Sequence, residues 1–154
     1  MFRKIGSAVL TVVAAAGLLM VAASPASAAV NRFWGVSPSV CLDGYNGHAD
    51  GEVYVTGCNS GAFQKFDWSG SFTGTTRLRS QGVAGHCVQK AAGANRLNLE
   101  PCSSASLQLW EVRGNTGSLI IRQGNLCVAQ ALGSTPSRVI MQGCSVQGSA
   151  WALA

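Results

Sequence analysis

Carboxylates are scarce in this chain, with six Asp and Glu among 154 residues: Asp43, Asp50, Glu52, Asp67, Glu100 and Glu111. Glycoside hydrolysis by paired acids needs two carboxyl groups held at a defined separation across a cleft. Asp50 and Glu52 alone stand near each other, and beside a glycine-rich turn they read as a solvated edge. Histidine is limited to His48 and His86, both in loop-like surroundings. No serine stands in a Gly-x-Ser-x-Gly context, and no glycine pattern forms a phosphate cradle. A close Cys-x-x-Cys pair, the usual start of a zinc site, is absent as well. The expectation is a protein without catalytic activity, without a metal and without a cofactor.

Concentrated positive charge is also lacking. Eleven Lys and Arg give a formal charge of +5, but they are scattered, with no run and none of the aromatic interleaving that follows a phosphate backbone. Nucleic acid is excluded on that ground as an expected partner. Beyond residue 28 there is no amphipathic stretch of helical length either, which argues against a helical domain.

The first 28 residues stand apart. Arg3 and Lys4 precede an apolar run from Ile5 to Ala23, followed by Pro25 and Ala26-Ser27-Ala28. This is the pattern of a secretory signal peptide, residues 1–28, cleaved after Ala28. A membrane anchor is the rival reading, since the run is nearly long enough to span; its Ala and Gly content and its small-x-small ending favour removal. The mature chain, residues 29–154, has the length of one domain. It is expected to be secreted and extracellular, with no membrane attachment once the leader is gone. Much of the 47% hydrophobic share and two of the cations leave with the leader.

All six cysteines lie in the exported part, where an oxidising compartment allows pairing. Six thiols permit fifteen connectivities. The separations within Cys41/Cys58, Cys87/Cys102 and Cys127/Cys144 are 17, 15 and 17 residues. Three local bridges are the simplest reading, and each would contribute about 3 kcal/mol in the chain-entropy picture.

The pairs recur with a period of about 43 residues, the mark of an internal repeat. An aromatic follows each second cysteine: Phe66 and Trp110 eight residues on, Trp151 seven. Gln64 and Gln108 stand two places before the first two aromatics, and Ser149 takes that place in the third unit. Short apolar segments flank the cysteines: Phe33–Val36, Arg77–Arg79 and Leu119–Ile121 before the first of each pair, Val53–Val55, Leu97–Leu99 and Val139–Met141 before the second. Punctuated by Gly, Asn and Ser, they predict an all-β domain of three units, approximately 29–72, 73–114 and 115–154. Phe66, Trp110 and Trp151 are the expected shared core of units that could not bury a core alone.

With Cys-Leu-Asp (41–43), Cys-Val-Gln (87–89), Cys-Val-Ala (127–129) and the Gln-x-Phe/Trp signatures, the chain resembles the ricin B-type lectin family, also grouped as carbohydrate-binding module family 13. The resemblance spans essentially the whole mature chain. It implies a β-trefoil of about twelve strands, one disulfide per repeat, and up to three pseudo-equivalent sugar pockets. Each pocket would use an Asp two residues after the first cysteine, an aromatic two before the second, a polar residue four before it, and an Asn directly before the Gln.

Transferred residue by residue, the first unit keeps Asp43, has Thr56 at the aromatic position and Phe63 at the Asn position, and offers Tyr54 as a displaced stacking surface. Gln64 and Asn59 are further candidate contacts, with Tyr45 and His48 in the intervening loop. The second unit retains only Gln89 and Asn98 as polar candidates, with Glu100 and Leu107 at the aromatic and Asn positions. The third has Ala129, Ile140 and Gln142, neither acid nor aromatic. The expected partner is a glycan or polysaccharide, held weakly by the first repeat. The alternative is a scaffold for a protein partner, an accessory or inhibitor chain of a secreted assembly.

Overall fold

The computed structural model describes residues 28–35, 40–45, 51–131 and 138–154. Apart from Ala28, the expected leader lies outside these residues, as do His48, Asp50 and Val36. Among the described residues thirteen strands follow one another: β1 (Ala29–Asn31), β2 (Phe33–Trp34), β3 (Val40–Asp43), β4 (Tyr54–Gly57), β5 (Phe66–Trp68), β6 (Arg79–Ser80), β7 (His86–Lys90), β8 (Leu97–Pro101), β9 (Glu111–Asn115), β10 (Ser118–Gln123), β11 (Leu126–Gln130), β12 (Val139–Gly143) and β13 (Ala152–Leu153). Strands β2–β5, β6–β9 and β10–β13 are the three four-stranded repeats of a β-trefoil. Among the described residues no helix is long and apolar enough to cross a membrane.

Strand β1 precedes the first repeat because the chain changes partners at Arg32. On one side, β1 pairs with β5; on the other, β2 pairs with β13 and β3. Reciprocal backbone bonds between Arg32 and Ala154, both 3.1 Å, tie the two ends of the domain together.

Alternation dictates which face is buried. In β8, Leu97 and Leu99 are buried while Asn98 and Glu100 are half-buried on the outer face; in β10, Leu119 and Ile121 point inward and Ile120 outward. The inward residues of all three repeats form one core containing Phe33, Leu42, Leu78, Val88, Val128, Phe66, Trp110 and Trp151. Burying each of the large side chains is worth about 1.5–3 kcal/mol. Trp110 and Trp151 also donate their indole N–H groups to the carbonyls of Val88 and Val128, at 2.9 and 2.8 Å. Each acceptor directly follows the first cysteine of its repeat, so the aromatic clamps the disulfide hairpin from inside.

The hairpins themselves are β3–β4, β7–β8 and β11–β12. Each is closed by one bridge, Cys41–Cys58, Cys87–Cys102 or Cys127–Cys144. No free cysteine remains.

Candidate functional site

The repeat places the same cross-strand pair on each hairpin: Asp43 faces Tyr54, Gln89 faces Asn98, and Ala129 faces Ile140. Directly opposed side chains share one face of a sheet, so these three pairs are equivalent sites with different chemistry.

In the first, Asp43 ends β3 and is almost fully buried. Its Oδ1 accepts the Tyr45 backbone N–H at 2.9 Å, an Asx-type turn. Its Oδ2 accepts from Gln64 Nε2 at 3.0 Å. Tyr54 also hydrogen-bonds the carboxylate; desolvation first, then the Asp43 charge and this bond, push its hydroxyl from 10.0 to about 12. A carboxylate has roughly four acceptor positions, so three internal donors leave about one.

Gln64 lies beneath the carboxylate, with no exposed surface. Besides Asp43, it donates to Gly57 O at 2.9 Å and accepts from Asn59 N–H at 2.8 Å. Its amide is spent inside the fold, so it supports the carboxylate rather than reaching a ligand. A short 3-10 turn, Ala62–Gln64, delivers it there. Asn59 is exposed, but its Oδ1 caps Gly61 N–H at 2.7 Å. Thr56 is half-buried on the same face as Tyr54, opposite Cys41.

Tyr54, the expected displaced stacking surface, is half-buried, and a second aromatic stands nearby. Tyr54 turns its hydroxyl onto Asp43, whereas Tyr45 is 46% exposed and meets Phe63 edge-to-face, with centroids 4.8 Å apart and planes at 81°. Phe63 replaces the expected Asn, and its ring is seated on Gly82 of the second repeat: a Cβ there would run into the ring and stand 2.8 Å from Phe63 Cα. Gly44 N–H donates to Phe63 O at 2.9 Å, fixing the Tyr45 turn against it. The available sequence signal was the aromatic immediately before Gln64; its partner became visible only across the loop.

The second site keeps the same support. Gln108, on the 3-10 turn Ser106–Gln108, donates to Gln89 Oε1 at 3.0 Å and Pro101 O at 2.9 Å and accepts from Ser103 N–H at 2.8 Å. Here an amide stands in for the carboxylate, and Asn98 Oδ1 is buried without a partner. In the third site Ala129 is fully buried and the Ser149 hydroxyl, at the Gln position, is buried with no partner. Gln142 opposes Cys127 and donates to Gln147 O at 3.1 Å. Among the described residues no group of three or more His, Cys, Asp or Glu side chains could hold a metal.

The sequence matches the model of the ricin-type beta-trefoil lectin domain over residues 30–151. No curated protein matches it in sequence. In structure it is similar to a mosquitocidal holotoxin, with TM-score 0.69 and 10% identity over 82% of this chain and 17% of that one. It is also similar to the designed threefold-symmetric protein ThreeFoil, with TM-score 0.67 and 14% identity over 81% and 97%. The β-trefoil lectin of Vibrio vulnificus hemolysin/cytolysin, with N-acetyl-D-lactosamine bound, gives TM-score 0.63 and 18% identity over 83% and 95%. The chain thus spans less than a fifth of the holotoxin's length, and at these identities the likeness is one of fold.

Proposed function

The chain belongs to the ricin-type beta-trefoil lectin family, and from that premise we propose a secreted protein that binds glycan weakly through its first repeat. The observation that carries this reading is the Asp43 carboxylate, held from below by Gln64 and flanked by the exposed Tyr45 ring packed against the half-buried Phe63. A sugar ring needs an acceptor for its hydroxyls and an aromatic face for its C–H side. Both are present together only here among the three equivalent pairs. With about one acceptor position left on Asp43, one hydroxyl is accepted rather than an adjacent two. The expected affinity is accordingly about −4 to −6 kcal/mol, high micromolar to millimolar, and useful avidity would require self-association.

Binding of the mature protein to a glycan array, then titration of the best sugar by calorimetry, tests this. Asp43→Asn and Tyr45→Ala are expected to abolish the signal, and Gln89→Ala in the second repeat to leave it intact. A sugar signal that survives both first-repeat substitutions, or the absence of any signal from the wild type, defeats the proposal.

A second reading, a scaffold for a protein partner, is favoured by the third repeat, where Ala129 and Ile140 have replaced the polar pair. Stoichiometric co-purification of a protein from culture medium, without retention on polysaccharide or galactose resins, would support it over the lectin.

A further inference from the structure

Beside the first strand lies a carboxylate oxygen without a partner. Asp67, on β5, has its Oδ1 buried without a hydrogen bond and lies in a cleft of about 230 Å³ lined by Ala28, Trp68, Ser69, Thr76, Arg77 and Arg79. Its positive neighbours do not neutralise it. Arg77 turns its Nε away to Ser103 O at 2.8 Å, and Arg79, although opposite Asp67 in register, makes no ion pair with it. An unpaired buried carboxylate oxygen is expensive, so the cleft calls for a donor.

The position of the leader junction supplies one. Val30 is the register partner of Asp67, and Ala28, two residues earlier, falls on the same face of the strand. Strand β1 is held at this place by its pairing with β5 and by the Trp68 indole, which donates to Asn31 Oδ1 at 2.9 Å. The residue after the expected cleavage point is therefore already fixed beside the cleft.

We propose that the Asp67 cleft is the receptor for the mature N-terminus: cleavage after Ala28 frees the α-ammonium of Ala29, which pairs with Asp67 Oδ1. The processing step is hydrolysis of the Ala28–Ala29 amide. The C–N bond breaks, water oxygen bonds to the Ala28 carbonyl carbon, and the leader departs as a carboxylate. Both water protons transfer to the Ala29 nitrogen, which keeps its own amide hydrogen, giving an ammonium at neutral pH; a leader peptidase separate from this chain provides the catalysis. Removal of the leader thereby completes the sheet edge, with Asp67 the one acid in the cleft to offset the new charge beside Arg77 and Arg79. The proposal rests on the export reading and is independent of sugar binding.

N-terminal sequencing of the secreted protein is expected to begin at Ala29; another start overturns the proposal. Chains beginning at Ala29 and chains retaining Ser27-Ala28 are then compared by thermal unfolding, each with and without Asp67→Asn. The two-residue extension is expected to lower Tm by about 3 °C with Asp67 present and to have no effect in Asp67→Asn. An equal shift in both backgrounds overturns it. Should Asp67→Asn fail to fold, selective acetylation of the α-amine in the native protein removes the same charge: a comparable fall in Tm supports the pairing, and an unchanged Tm rejects it.

Discussion

The side chain of Gln64 donates to the carboxylate of Asp43 across 3.0 Å, joining residues 21 apart in sequence. Gln108 makes the corresponding bond to Gln89, also at 3.0 Å. The Gln of the repeat signature is thus a bracket between the disulfide hairpin and the turn that leads to the core aromatic. This explains how a repeat can lose its binding chemistry without losing its fold: the bracket accepts Asp or an amide as partner, and its bonds to Gly57 and Pro101 carbonyls do not depend on that partner.

Loss of the bracket should be costly where it is intact. Gln64→Ala removes the donor to the Gly57 carbonyl and to Asp43 Oδ2 and the acceptor of the Asn59 N–H, an expected loss of about 2–3 kcal/mol. Ser149→Ala removes a buried hydroxyl that has no partner and should be neutral or stabilising by up to about 1 kcal/mol. Urea denaturation of the two variants beside the wild type measures the contrast; equal destabilisation would refute the assignment.

The phenol of Tyr54 introduces a pH dependence in the alkaline range. Its folded-state value is raised from 10.0 to about 12, so folding favours the protonated form. That contribution is complete below pH 10 and is lost as pH rises through about 12. Unfolding midpoints followed across this window should decline more steeply for the wild type than for Tyr54→Phe.

Gly82 controls the aromatic pair from the neighbouring repeat. Gly82→Ala pushes the Phe63 ring and backbone from their seat, at a cost of about 1–3 kcal/mol, and breaks its contact with Tyr45. Glycan affinity should fall with stability, whereas Gly93→Ala, where no atom lies within 4 Å of the added carbon, should spare glycan affinity although its positive φ brings strain. Calorimetric titration with the array's best sugar separates the two.

Removal of the shortest bridge, by the paired substitution Cys87→Ala and Cys102→Ala, opens a loop of 15 residues. A loss of about 2–4 kcal/mol is expected, measured by thermal unfolding under non-reducing conditions. Alkylation of the unfolded, unreduced wild type should add nothing to its mass, since every thiol is bridged.

Sequence alone was sufficient for the β-trefoil, because its signals are local and repeated. Paired cysteines at 15 and 17 residues, alternating segments and one aromatic per unit each constrain the same hairpin, and three copies reinforce one another. The family's Asp, Gln and aromatic positions could likewise be read by counting from the cysteines. Counting could not tell whether a polar side chain still had capacity to spare. Gln64 carries the right chemistry for a ligand contact but spends it within the fold, and Tyr54 spends its hydroxyl on Asp43. Tyr45 and Phe63 meet only in the folded chain, with Phe63 seated against Gly82 of another repeat. Local pattern determined which residues are buried and where the chain turns; the division of each donor and acceptor between protein and ligand was decided by tertiary packing, because hydrogen-bond capacity is finite and its partners lie far apart along the chain.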